Sequence, residues 1–324
     1  MKMGIIGAGH IARTMSHTIN EMPGVTPYAI ASRDISKARK YAKEFNFERA
    51  YGSYEELVSD PETELVYIAT PHSFHYEHIM LCLKHKKHVL CEKAFTLNAA
   101  QAEEAISYAR ANGLLLAEAI WTRYLPMRNT MDNILKSGII GAPQSLYATL
   151  SYPITDKARI TDLSLGGGAL LDIGVYCINF ASMVFGGNID KISAQAVLYP
   201  TGADAADSIS FTYPDGRMAV LHCDARAACN KEGAVYGDKG YVIFNNINNC
   251  EGITVYDSSC RVIDTYSAPL QITGFEYQVQ ACIDAINSGL SECPQMPHRE
   301  IIQMMKIMDE IRRQTGVVYP GENS

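Results

Sequence analysis

The sequence predicts an α/β protein built from an N-terminal doubly wound parallel sheet (residues 1–120) and a C-terminal α+β domain (residues 121–324) whose sheet is open and mostly antiparallel. Three observations support this fold class. Short apolar segments alternate with helix-length segments through the first third of the chain. After about residue 120, polar and apolar residues alternate as in half-buried strands. The length of 324 residues suits two domains.

The first part contains strands separated by helices, the pattern of βαβ units. Pro23 and Gly24 stop the first helix, Ser53 with Glu56 forms a capping-box pattern, and Gly113 ends a later helix. Helical crossovers between strands imply that the strands run parallel. Strands are predicted at 2–6, 25–31, 65–69, 87–91 and 114–118, a short piece of unassigned type near 49–51, and helices at 11–21, 36–45, 53–59, 73–84 and 98–111.

The second part reads as strands followed by two closing helices. Asp215-Gly216 lies between two strand-like segments and is a strong hairpin signal. Gly289 and Gly316 end the two helices. Strands are predicted at 144–151, 191–199, 208–213 and 218–224, a turn at 237–240, and helices at 275–288 and 299–314.

Composition excludes several classes of protein. Apolar residues make up 47% and charged residues 19%, as in ordinary globular proteins. The net charge of -7 and the lack of a basic stripe argue against a nucleic-acid partner. The start lacks the features of a signal peptide, and no apolar run approaches a membrane span. Nine scattered cysteines without C-x-x-C argue against a disulfide framework. We therefore expect a cytoplasmic protein without a membrane partner.

A glycine-rich run follows the first predicted strand and opens the first helix. This is the context of a dinucleotide fingerprint, in which glycines allow a tight turn and a close approach to a pyrophosphate. The free N–H groups of the helix then face the phosphates. A turn that simply requires glycine is the alternative. The run is Gly7-Ala8-Gly9-His10-Ile11-Ala12.

The end of the second predicted strand bears on cofactor choice. NAD-binding sites usually have a carboxylate here for the ribose 2′-hydroxyl. This chain has Ser32 and then Arg33, and a hydroxyl with a guanidinium suits a 2′-phosphate. The sequence therefore predicts NADP, with NAD possible. The neighbouring Asp34 weakens the prediction, and Arg33 as a solvated loop residue is the alternative.

Two more strand ends carry polar residues. Thr70, Pro71 and His72 follow one strand, and Glu92 and Lys93 follow the next. Ligands of such sheets bind outside the carboxyl ends of the strands. A lysine in a dry site near a cationic nicotinamide should lose basicity, so Lys93 is a candidate proton donor or acceptor. An exposed lysine is the alternative reading.

A third motif lies in the second part of the chain. Asp172 and Tyr176 follow a triple-glycine run and are four residues apart, so on a helix they share one face. A carboxylate orients hydroxyls and a phenol passes protons, but spacing alone equally fits a capped helix with a buried tyrosine.

Five motifs together resemble one family. GAGHIA, IATPHSFH, CEKAFTLN, WTRYLP and GGGALLDIGVY occur in the order and spacing of the Gfo/Idh/MocA oxidoreductases, over essentially the whole chain. WTRYLP and the D-I-G-V-Y ending most resemble the branch with dimeric dihydrodiol dehydrogenases and D-xylose dehydrogenases.

The resemblance implies a Rossmann domain that holds a nicotinamide cofactor, and a second domain whose open sheet forms a homodimer. It implies hydride transfer at a hydroxyl-bearing carbon of a sugar, polyol or cyclic diol. Lys93, Asp172 and Tyr176 would converge on this small polyhydroxylated substrate, with Tyr176 exchanging the hydroxyl proton.

The resemblance also assigns supporting roles. Glu92 and His75 would shape the nicotinamide pocket, and Trp121 and Arg123 would line the cofactor or substrate wall, although Trp121 equally suits core packing. The family has proline after the lysine where this chain has Ala94. The peptide bond before Ala94 is therefore open between cis and trans.

Two alternatives remain at this point. A helical run of histidines suggests a metal site, but no cysteine or carboxylate completes a ligand set, and we predict no metal. A non-catalytic nicotinamide-sensing regulator of the same fold is the second alternative. The histidines are His72, His75, His78, His85 and His88.

Overall fold

The computed structural model describes residues 1–322 and confirms the predicted pair of sheets, one parallel and one mostly antiparallel. The chain forms two compact units. The first comprises Met1–Trp121 and Gln271–Ile302; the second comprises Thr122–Leu270 and the residues from Gln303 onward. The segment 271–302, which the sequence prediction assigned to the C-terminal part, therefore packs with the first unit.

The first unit is built on a six-stranded parallel sheet in the order β3-β2-β1-β4-β5-β6. The strand order reverses at β1, which lies between β2 and β4, and dinucleotides bind at such switch points. The strands are β1 Lys2–Ile6, β2 Thr26–Ala31, β3 Arg49–Tyr51, β4 Leu65–Ile68, β5 His88–Glu92 and β6 Leu116–Ala119.

Helices connect these strands as predicted, with ends displaced by a few residues. The capping box of Ser53 and Glu56 is confirmed. The predicted helix at 73–84 is in fact a 3₁₀ turn, His72–Phe74, followed by an α-helix. The helices are α1 His10–Glu21, α2 Ile35–Glu44, α3 Tyr54–Ser59, α4 His75–Lys84 and α5 Ala99–Ala111.

The second unit contains an eight-stranded sheet in the order β14-β13-β12-β11-β7-β10-β9-β8. All neighbouring strands are antiparallel except β7 and β10. Four of its strands lie beyond the last predicted one. The strands are β7 Pro143–Ser151, β8 Lys191–Leu198, β9 Asp204–Thr212, β10 Met218–Asp224, β11 Gly233–Gly237, β12 Gly240–Asn245, β13 Gly252–Asp257 and β14 Val262–Ser267.

Five more α-helices lie among residues 1–322. A long apolar helix, α8, packs on β7 and β10. The predicted helix at 275–288 is α9 in the first unit, and the one at 299–314 is α10. The bounds are α6 Pro126–Ser137, α7 Ala158–Thr161, α8 Val175–Phe185, α9 Glu276–Asn287 and α10 His298–Thr315.

One helical stretch is more apolar than the sequence analysis expected. Leu163–Phe185 spans 23 residues with a mean hydropathy of 1.6 in its most apolar window, enough by length and composition to cross a membrane. Within the protein, however, 83% of that window is buried. Its hydropathy is accounted for by its position against the second sheet.

Candidate active site

The loop after β1 has the geometry that a bound pyrophosphate requires. Gly7 has φ +97°, and a Cβ there would lie 2.7 Å from the carbonyl oxygen of Ala69. A Cβ at Gly9 would meet nothing within 4 Å, so one side of the loop is open. Gly9 caps α1 without a side-chain hydrogen bond. The first-turn N–H groups of α1 are therefore free of a side-chain acceptor and suit an anion.

The residues of this loop differ in their exposure to solvent. Ala8 and Ile11 are half-buried, whereas Gly9 and His10 are exposed. The motif thus presents backbone and the His10 ring to solvent, as a surface that receives a ligand does. The residues of the chain fit a dinucleotide here.

The end of β2 presents a buried hydroxyl and an exposed guanidinium. Ser32 is 8% exposed and its hydroxyl accepts the N–H of Asp34 at 3.3 Å. Arg33 is exposed. The Asp34 carboxylate caps α2 through the N–H of Ser36 at 2.9 Å, and the Ser36 hydroxyl, followed by backbone N–H groups, lowers its pKa. This carboxylate is therefore already used within the protein.

Arg33 lines an open pocket of about 370 Å³ at the carboxyl ends of β2 and β4. The aromatic ring of Tyr54 and the ring of His78 meet edge to face at 4.7 Å along its wall. Such rings suit the planar base of a nucleotide. The other lining residues are Gly52, Ser53, Thr70, Pro71, Phe74 and Glu77.

His75 joins two of the predicted strand ends. Its Nδ1 lies 2.8 Å from the carbonyl oxygen of Ala94 and its Nε2 lies 2.8 Å from that of Thr70. Burial, reinforced by His72, lowers the pKa of His75 to about 3, so the ring is neutral at neutral pH. A neutral ring has one N–H and donates to one carbonyl at a time.

The carboxyl end of β5 carries Glu92 and Lys93. The Tyr67 hydroxyl donates to one carboxylate oxygen of Glu92, and the Lys93 N–H donates to the other at 3.2 Å. Glu92 is 6% exposed and Tyr67 is fully buried, so this carboxylate is held rigidly. Lys93 is half-buried. The Lys93–Ala94 peptide bond is cis.

Trp121 is half-buried at the end of the first unit's main segment. Its ring packs edge to face on Phe275, with centroids 4.6 Å apart. A Cβ on Gly274 would lie 2.8 Å from Trp121 Cζ3. These contacts support the alternative that Trp121 packs in the core.

Arg123, which is expected beside the cofactor or substrate, makes two hydrogen bonds to side chains on α8. It is 3% exposed, its Nε donates to Asn179 Oδ1 at 2.6 Å, and its Nη2 donates to Ser182 at 3.1 Å. Asn179 in turn donates to the carbonyl of Val175 at 2.8 Å. Burial forces the guanidinium to find such partners, and here they brace the helix that carries Tyr176.

Asp172 lies in a single π turn, Leu170–Gly174, rather than in the α-helix that the spacing predicted. Tyr176 follows in the first turn of α8. Both side chains are 8% exposed. Such π turns occur often at functional sites.

The structure adds a partner for Asp172 that the spacing did not reveal. Arg159, from α7, donates through Nη2 to Asp172 Oδ2 at 3.2 Å. The Arg159 side chain is half exposed, so the ion pair that it forms with the nearly buried Asp172 carboxylate reaches the protein surface.

Three histidines of the run have separate partners. His78 Nδ1 meets the Thr70 hydroxyl at 3.0 Å, His85 pairs with Glu55 at 2.8 Å, and His88 Nδ1 accepts the N–H of Leu115 at 2.9 Å. Among residues 1–322, no group of three or more His, Cys, Asp or Glu side chains is arranged to hold a metal ion.

Comparison with known proteins decides the family. Residues 1–119 match the model of an oxidoreductase family with an NAD-binding Rossmann fold, and residues 129–243 match the Gfo/Idh/MocA C-terminal domain. The chain belongs to the Gfo/Idh/MocA oxidoreductase family. The resemblance inferred from the five motifs is confirmed.

Curated relatives match nearly the whole chain. Trans-1,2-dihydrobenzene-1,2-diol dehydrogenase from Xenopus tropicalis is 34% identical over 327 residues, covering 98% of this chain and 99% of the relative. The enzyme of that name from Homo sapiens is 33% identical over 330 residues, covering 99% of both chains.

Solved structures share the fold. A 3-ketoreductase from Actinomadura kijaniata, determined with NADP and TDP-benzene, has a TM-score of 0.88, 25% identity and coverage of 97% of this chain and 98% of its own. A levoglucosan dehydrogenase, determined with NADH and L-sorbose, has a TM-score of 0.87, 19% identity and coverage of 98% and 99%.

Proposed function

We propose that this oxidoreductase is an NADP-preferring dehydrogenase that acts on the CH–OH group of a sugar, polyol or cyclic diol. The end of β2 supports the cofactor choice. Arg33 is exposed beside the open pocket, whereas the Asp34 carboxylate is committed to capping α2. A 2′-phosphate placed next to Arg33 meets its guanidinium, while the Asp34 carboxylate accepts hydrogen bonds from α2 and Glu77 lies elsewhere on the pocket lining.

Three side chains are proposed to act on the substrate. Tyr176 takes the hydroxyl proton during oxidation, Lys93 stabilises the negative charge that develops on the substrate oxygen, and Asp172 orients the substrate. Bound nicotinamide cofactor supplies the hydride acceptor in oxidation and the hydride donor in reduction. Low exposure of Tyr176 and Asp172 keeps these groups away from bulk water.

Three further residues support the segments that carry Lys93, Tyr176 and Asp172. The buried Glu92, held by Tyr67, orients the backbone at Lys93. Arg123 braces α8 below Tyr176. Arg159 orients Asp172 and adds a positive charge next to it, which suits substrates rich in oxygen atoms.

The test combines cofactor binding with a substrate panel. Calorimetric titration should show tighter binding of NADP than of NAD. A panel of sugars, polyols and cyclic diols, followed through NADPH absorbance, should show turnover of at least one member. Equal affinities would contradict the NADP preference. Tight NADP binding without turnover on the panel would favour the nicotinamide-sensing regulator.

We further propose that the second sheet forms a homodimer interface. Met218 of β10 and Tyr236 of β11 both pair with Ser145 of β7, so their side chains share one face, and both are exposed. The rings of Tyr241 and Tyr256 stack at 4.6 Å in the next strands of the same row. A wide apolar face of this kind is typical of an interface. Light scattering should give twice the chain mass at micromolar concentration, and the mass of a single chain would contradict the proposal.

A further inference from the structure

The glycine run before Asp172 is fixed by long-range hydrogen bonds. The Gly167 N–H donates to the carbonyl of Asp162 at 3.0 Å, and the buried hydroxyl of Tyr319 donates to the carbonyl of Gly167 at 3.0 Å. The Asp172 N–H reaches back to the carbonyl of Gly168 at 3.4 Å. The π turn therefore starts from an anchored segment.

A buried carboxylate receives the amino end of this turn. Leu170 N–H donates to Asp204 Oδ2 at 2.5 Å, and Asp204 is fully buried. Gly168 has φ +136°, and a Cβ there would lie 2.1 Å from Asp204 Oδ1. Only glycine lets the backbone approach the carboxylate so closely. A carboxylate at this end of a helical turn also complements its N–H groups.

A second carboxyl group lies behind the first. Asp207 is 1% exposed, and burial followed by the charge of Asp204 holds its pKa well above the usual range. Burial also raises the pKa of Asp204, but the Leu170 N–H opposes that rise. Two buried carboxyls that interact in this way do not both ionise, so the pair holds at least one proton.

The far end of the turn is also restrained. The thiol of Cys223 donates to Asp207 Oδ2 at 3.4 Å. A Cβ on Gly174 would lie 3.0 Å from the same sulfur atom. Asp204 therefore contacts the start of the segment that carries Asp172, and Cys223 lies against its far end at Gly174.

We propose that Asp204 is a positioning residue, and that its buried carboxyl group fixes the π turn and thereby the placement of Asp172 on the substrate. This inference rests on the proposed function, because it assigns Asp172 a role in orienting the substrate. Asp204 acts through the Leu170 backbone and touches neither substrate nor cofactor.

Two variants of matched size and burial separate positioning from general packing. D204N replaces the carboxyl group that accepts the Leu170 N–H with a neutral amide, which weakens the hold on the turn. It should lower kcat about 10- to 100-fold, with cofactor affinity unchanged, because small misplacements of reacting groups are costly. D207N changes the neighbouring buried carboxyl group, which is not the acceptor of the Leu170 N–H, and should keep kcat within about twofold of wild type. Wild-type kcat in D204N, or equal losses in both variants, would overturn the proposal.

Hydrogen exchange tests the proposal without a substrate. Its first measurement uses the wild-type protein and needs no variant that folds. In the wild-type protein the Leu170 amide should be strongly protected, and free exchange at Leu170 would overturn the proposal even if D204N fails to fold. In folded D204N, exchange across residues 170–174 should accelerate while α10 stays protected. A wild-type protein with a protected Leu170 but no turnover on any substrate would instead count against the proposed function alone.

Discussion

His75 makes the stability of the first unit depend on pH in a way that the structure quantifies. The buried neutral ring has a pKa of about 3, against an ordinary value of 6.5. On acidification the unfolded chain takes up a proton at this ring and the folded chain does not. The contribution of the neutral His75 ring to the free energy of unfolding is fully present above pH 6.5. It is lost as the pH falls from 6.5 towards 3.

The expected loss follows from the proton linkage. Each pH unit between these limits removes about 1.4 kcal/mol, so His75 alone should lower the free energy of unfolding by about 2 kcal/mol at pH 5 relative to pH 7.5. Burial also lowers the pKa values of His78, His88 and His298, which add to the slope. The contribution of His75 is therefore the difference between wild type and a H75Q variant.

Urea denaturation at pH 7.5 and pH 5 measures this difference. Trp121 is the only tryptophan and lies in the first unit with His75, so its fluorescence reports on the unfolding of that unit. The wild-type protein should lose about 2 kcal/mol more than H75Q between the two pH values. H17Q removes an exposed histidine and should behave as wild type. An equal loss in wild type and H75Q would refute the reasoning.

Two further substitutions test the roles of charged side chains. R33A should weaken NADP binding about 10- to 100-fold in a calorimeter by removing a charge-assisted contact to the 2′-phosphate, while NAD affinity changes less than about twofold; equal effects on both would contradict the assignment. R123M should lower the free energy of unfolding by about 3 kcal/mol in urea, because it removes the buried partner of Asn179 and Ser182. R261M, at a side chain that is 79% exposed, should change it by less than about 0.5 kcal/mol.

The parts of the fold with local signals could be predicted from the sequence. The alternation of apolar strands and capped helices gave the parallel sheet, because each βαβ unit is encoded in a short stretch of chain. Asp215-Gly216 likewise marks the β9–β10 hairpin in the chain itself. The packing of segment 271–302 with the first unit could not be predicted from the sequence, because it depends on contacts distant in sequence.

Some residues of the candidate site could likewise be predicted from the sequence, and others could not. Gly7 and Gly9 were recognisable because a phosphate-binding turn needs glycine at fixed positions. The π turn at Asp172 was missed, because the same letters fit an α-helix, and the turn depends on Asp204, which lies 34 residues beyond Leu170. The family resemblance implied that Arg123 lines the cofactor or substrate pocket. Its burial and its hydrogen bonds to α8 could not be predicted, because the residues that it contacts are distant in sequence.

Turnover in matched variants tests the central claim most directly. NADPH formation with an accepted substrate should be compared for wild type, K93M and Y176F, with NADP binding measured on the same samples. If Lys93 and Tyr176 handle the substrate oxygen and its proton, both variants should bind NADP normally and lose at least about 100-fold in kcat. Wild-type turnover in either variant would contradict the account.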